Sequence, residues 1–110
     1  MNGEITLKIG HDVRINGENF PVLLDEVEIL EAAERIQAKA REIEQTPAGI
    51  RSFAVELTSF VDSVLGEGAV AKIAGGKKIG VTNLLALVSL LTDDIAKQYA
   101  ATIAEYAPPK

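Results

Sequence analysis

The sequence predicts a mostly helical α+β domain, an N-terminal β-hairpin followed by three to four α-helices. Three observations carry that expectation. Residues 4 to 24 alternate apolar and polar side chains on either side of Asn16-Gly17. Three later stretches repeat apolar residues at helical spacing, and residues able to start or stop a helix flank them. The chain has 110 residues, 47% of them hydrophobic and 25% charged. That is enough for one modest core, so residues 1–110 are read as a single domain.

The hairpin, within residues 1–25, rests on two runs. Ile5, Leu7 and Ile9 alternate with Thr6 and Lys8, and Val13 and Ile15 resume the pattern after Gly10-His11-Asp12. Asn16-Gly17 suits a two-residue type I′ turn, where both central residues need positive φ. Phe20, Val22, Leu23 and Leu24 supply the return strand. Pro21 has no N–H to give a neighbour, so this strand is expected to have an open edge.

The first helix is expected over 26–45, with Asp25 as its cap and Glu26 and Glu28 at its positive end. Ile29, Ala33, Ile36, Ala40 and Ile43 form a narrow seam of heptad spacing. The second helix, 47–65, starts at Thr46-Pro47, Thr as cap and Pro in the first turn. Ile50, Phe53, Ala54, Leu57, Phe60, Val61 and Val64 share its apolar face, and Gly66 is placed to end it. A short helix, 67–74, sits in the glycine-rich stretch 66–80, followed by an exposed basic loop at Gly75-Gly76-Lys77-Lys78. The last helix is expected over 83–106 with Thr82 or Asn83 as cap. Leu84, Val88, Leu91, Ile95, Tyr99 and Tyr106 lie on one face, with Leu87 and Leu90 on its flank; Pro108-Pro109 stops the chain.

Composition excludes several functions. Eleven Lys and Arg stand against 16 Asp and Glu, a formal net charge of -5, which disfavours binding to phosphate backbones or anionic membranes. With no cysteine there is no disulfide, thiolate metal site or cysteine nucleophile. No signal peptide is visible and no run is long enough to span a membrane, so a cytoplasmic location is expected. Gly66-Glu67-Gly68-Ala69-Val70-Ala71 has the spacing of a dinucleotide loop, but it follows a helix, where that loop needs a preceding strand. Gly76-Lys77-Lys78 lacks the upstream Gly and following Ser or Thr of a phosphate loop. The lone His11 has no second histidine or placed serine, and reads as an exposed turn residue. Asp93 and Asp94 point about 100° apart on a helix and read as solvated charges. No catalytic, cofactor or metal site is expected.

What remains is surface. The alanines of the first helix permit close approach of another helix, and the last helix carries more apolar surface than one packing face needs. Ile36, Ala40, Leu87 and Leu90 are therefore the candidate protein-binding residues, with Lys77 and Lys78 as a second contact for an acidic partner.

Phe60-Val61-Asp62-Ser63-Val64-Leu65-Gly66-Glu67-Gly68-Ala69 resembles the phage tail assembly chaperones of Gram-positive-type siphophages and prophages. Asn83-Leu84-Leu85, Lys97-Gln98-Tyr99, Tyr106-Ala107-Pro108 and the Asn16-Gly17 hairpin are similar to the same family. The resemblance implies a non-enzymatic chaperone in the bacterial host cell that holds the long helical tape measure protein, then yields to tail tube subunits. It also implies that a frameshifted longer form can accompany the short one. The family defines no active site, so no functional residue is carried over. The alternative is a structural virion subunit, a tail or head-tail connector protein, that forms homo-oligomers.

Overall fold

A computed structural model describes Gly3 and residues 11–106, except the Tyr106 side chain. The Ile5, Leu7 and Ile9 alternation, residues 107–108 of the family-like C-terminal stretch, and Pro108-Pro109 lie outside the described residues. The order is β1 (Asp12–Ile15), β2 (Glu18–Pro21), α1 (Glu26–Glu42), α2 (Pro47–Leu65), α3 (Ala69–Ala74) and α4 (Val81–Tyr106). The fold is thus a mostly helical α+β arrangement with an N-terminal hairpin.

Asn16 and Gly17 take φ of 51° and 82°, the positive pair the type I′ turn demands. The antiparallel register sets Ile15 against Glu18 and Val13 against Phe20. Val13, Ile15 and Phe20 are buried on one face, as period two requires. Pro21 stands opposite Asp12. Counting from the turn, this is a non-hydrogen-bonded pair, so the missing N–H leaves no gap in the ladder. The return strand is shorter than expected. The Leu23 N–H donates to the Val64 carbonyl at 2.7 Å, so the chain leaves the sheet for the end of α2. That bond also satisfies one of the carbonyls a helix C-terminus leaves open.

Asp25 caps α1, its Oδ1 accepting the Glu28 N–H at 2.8 Å. Ile29, Ala33 and Ile36 are buried, but Ala40 is exposed. A straight helix drifts by about 20° per heptad, enough to carry the last member of so narrow a seam toward solvent. α1 also ends at Glu42, earlier than the expected 45. Ile43 turns extended, with ψ 128°, and packs half-buried against the core. Thr46 Oγ1 then accepts the Gly49 N–H at 3.0 Å, starting α2 as anticipated. On α2, Phe53, Leu57, Phe60, Val61 and Val64 are buried, while Ile50 is exposed.

Gly66, at φ 113°, ends α2 and makes a helix-to-helix corner. α3 begins at Ala69, two residues later than expected. Its cap position, Gly68, has no side chain to offer. Asp62 of α2 supplies the cap instead, its Oδ1 accepting the Val70 N–H at 2.9 Å. Gly75 and Gly76 terminate α3 with φ of 60° and 83°. α4 starts at Val81, before the Thr82 or Asn83 expected to cap it. The Gly80 carbonyl accepts the Leu84 N–H at 3.1 Å, and Ile79 and Val81 pack against the core. Apolar contact, rather than polar capping, sets this helix start.

The core is one cluster. Ile29 of α1, Leu57, Val61 and Val64 of α2, and Leu84 and Leu91 of α4 are its most enclosed members. No polar or charged side chain is buried among the described residues.

The α1–α2 turn depends on Gly49. A Cβ there would collide with the backbone carbonyl of Glu44. In an open helix Gly→Ala stabilises by roughly 0.5–1 kcal/mol. Here overpacking against backbone, at about 1–3 kcal/mol, exceeds that gain. Gly49→Ala is expected to lower the Tm by several degrees in a thermal melt, and a higher Tm would show the turn can yield.

Candidate functional site

α1 and α2 lie side by side but do not close along their outer edges. A groove of about 450 Å³ runs between them, floored by Leu24, Ala32, Ile36 and Phe60. A second hollow of about 390 Å³, over Ile43 and Phe53, continues it toward the α1–α2 turn; Lys39 and Glu56 line both. Lys39 Nζ lies 4.0 Å from Glu56 Oε1, spanning the groove where the two hollows meet. Both side chains are more than half or about half exposed, so this clasp is worth well under about 1 kcal/mol and opens easily.

The groove follows from local sequence. Tandem small residues, Ala32 and Ala33, sit at mid-helix. Ala33 faces the core and Ala32 leaves the floor low. Phe60 of α2 completes that floor, and Phe53, about two turns earlier on α2, lies under the second hollow. The rim is acidic: Glu28, Glu31, Glu42, Glu44 and Glu56 stand against Arg35 and Lys39.

The six candidate residues do not converge. Ile36 lies on the groove floor. Ala40 is exposed on α1. Lys77 and Lys78 are exposed in the loop between α3 and α4. Leu90 is 44% exposed on the outer side of α4. Leu87 is corrected: at 8% exposure it belongs to the core. It lies about 60° from Leu84 around the helix, near enough for the core to enclose, whereas Leu90 lies about 120° away. Tyr99, expected on the same face as Leu84, is 56% exposed, with no element among the described residues covering that part of α4.

His11 and Asp94 also differ from expectation. His11 is half-buried, and its Nε2 lies 2.9 Å from Asp94 Oδ2. The same oxygen accepts from Gln98 Nε2 at 3.2 Å. This pair ties the start of the hairpin to α4. Nothing in the sequence flags it, since the two residues are 83 apart. The acidic groove rim was missed for another reason: each glutamate reads singly as a solvated helix charge until α1 and α2 are set side by side. Glu18 of β2 and Lys72 of α3 pair similarly at 3.4 Å, with the ammonium 5.6 Å above the Phe20 ring.

No protein family, curated protein or solved structure matches this chain. No helix of the described residues is long and apolar enough to cross a membrane.

Leu87 and Leu90 separate core from surface. Leu87→Asp buries an unpaired carboxylate and is expected to abolish the cooperative thermal transition. Leu90→Asp should change stability by less than about 1 kcal/mol. Equal loss of helical circular dichroism in both variants would contradict this placement.

Proposed function

We propose that this protein is a phage tail assembly chaperone, a non-enzymatic protein of the bacterial host cytoplasm that holds helical segments of the tape measure protein and then yields to tail tube subunits. The α1–α2 groove carries this reading. It offers an apolar floor of Leu24, Ala32, Ile36 and Phe60 between charged rims. That is the form in which one chain receives the apolar face of another's amphipathic helix. The resemblance of residues 60–69, 83–85 and 97–99 to the chaperone family supports the same reading.

The physical requirements of such a chaperone agree with this groove. A long helical target made before its tube exists exposes apolar surface that promotes aggregation, and a receiving groove shields it. Release requires a small and partly polar interface. The groove's floor is short, and the Lys39–Glu56 clasp can re-form when the guest leaves. The reading of a ring-forming virion subunit draws on a different feature, the exposed outer side of α4, and predicts retention of the protein in purified particles.

The test is affinity capture of the tagged protein from a lysate of the producing bacterium after prophage induction, read by mass spectrometry. The tape measure protein or a tail tube subunit is expected among the captured proteins. Ala32→Glu, which puts a charge on the groove floor, should remove that capture without altering the circular dichroism spectrum. Recovery of no phage protein would sink the assignment.

A further inference from the structure

Resting on the reading of the α1–α2 groove as a receiver of helices, we propose that its occupant is a basic amphipathic helix of another protein, about four turns long, with Lys or Arg at both ends of the edge that faces α1. The rim on the α1 side is a single stripe. Glu28, Glu31, Arg35, Lys39 and Glu42 line the two hollows. At about 100° per residue they fall within about 80° of the helix surface, with Ala32 and Ile36 of the floor directly beside them. Charge along the stripe is ordered. Acids stand at its two ends, with Glu28 and Glu42 about 21 Å apart by helical rise, and both bases stand between.

Glu44 adds a second acid at the far end. Lys39 is engaged across the groove by Glu56 at 4.0 Å. Glu28, Glu31, Glu42 and Glu44 are exposed, and no ion pair within the described residues engages them. The rim on the α2 side is nearly neutral, with Ser52, Ser59 and Ser63 beside the single Glu56. The groove's negative charge thus lies along one edge and at both ends.

That arrangement selects the occupant. The carboxylates are strung out, and among the described residues no three metal-ligating side chains converge. Their complement is positive charge spread over the same length, above an apolar face. Both walls are helices, whose mid-helix N–H and C=O groups are bonded within the helix. An entering strand finds no open edge to bond, whereas a helix arrives with its own backbone bonds closed. A second copy does not supply the charge. Acids outnumber bases in α1, α2 and α4, and α3, with Lys72, has only six residues. The net charge of -5 attracts a basic chain from a distance and speeds encounter, an effect that salt screens. Each exposed charge contact is individually weak, which suits release.

Fluorescence anisotropy with the full chain and three labelled 18-residue peptides tests this. All three share a Leu and Ala face at helical spacing, with Gln elsewhere. One carries two Lys in each terminal turn on one edge, the second carries Glu at those positions, and the third carries Gln. In about 50 mM salt the Lys peptide is expected to bind about tenfold or more tighter than the Glu peptide, with the Gln peptide between, and about 500 mM salt should largely erase the order. Glu31→Lys combined with Glu42→Lys should remove the preference for Lys. Ala32→Gln, a neutral block of the floor, should weaken all three peptides by about tenfold or more. These sites lie outside the buried core, so the circular dichroism of the variants should match the parent. Equal binding of the three peptides, lost in Ala32→Gln, would overturn the basic occupant and leave the groove a receiver of helices. A Lys preference that survives the double substitution, or Lys-peptide binding indifferent to Ala32→Gln, would place the attraction elsewhere and overturn the proposal. Binding of none of the peptides would also overturn it, while capture from the lysate tests the groove reading separately.

Discussion

The packing of the first half of α4 across α1 and α2 is the contact on which the rest depends. Leu84 and Leu91 of α4 meet the layer formed by Ile29, Leu57, Val61 and Val64, and these six are the most enclosed large side chains described. Full burial of such side chains contributes about 1.5–3 kcal/mol each. No other element pair offers a comparable apolar surface. The hairpin is two four-residue strands, too small to persist alone in water. It is held because Val13, Ile15 and Phe20 join the same core, and because Leu23 bonds to Val64 and His11 to Asp94. α3 is six residues long and relies on Asp62 for its cap.

A thin core has consequences for surface. The described chain buries no polar side chain, so its specificity rests on shape and on charges at the edges. α1 contributes only three buried residues, Ile29, Ala33 and Ile36, and the opposite edge of that stripe stays open as the groove wall. α4 is longer than the body it packs against, so residues 96–105 stay exposed, without an internal partner among the described residues. The two unfilled faces thus share one origin: helices sized beyond what a core of this width can cover.

Much of the architecture was legible because it is local chemistry. The positive φ pair at Asn16-Gly17, the Asp25 and Thr46 caps, Pro47 in the first turn and the Gly66 stop are each set by residues within a few positions. Helix faces followed from spacing, and Phe53, Leu57 and Phe60 are core as that spacing implies. The misses occur where another element intervenes. α4 starts at Val81 because Ile79 and Val81 find apolar partners, and α1 ends early because Ile43 does the same. Of the six candidate surface residues, Ile36 was traceable to a seam, yet only the position of α2 shows that it floors a groove.

By itself, then, the sequence determined the class of fold, the order of its elements and the lack of any thiol chemistry in a cysteine-free chain. Those follow from periodicity, capping and composition, which act over a few residues or over the whole chain at once. The tertiary structure alone decided which apolar residues are covered. Leu87 and Leu90 are the same residue type three positions apart on one helix, and burial at 8% and 44% separates them. That division depends on where α1 and α2 lie, and no local pattern encodes the reach of a neighbour. The same reach ends before Ala96, which leaves the far half of α4 outside the core.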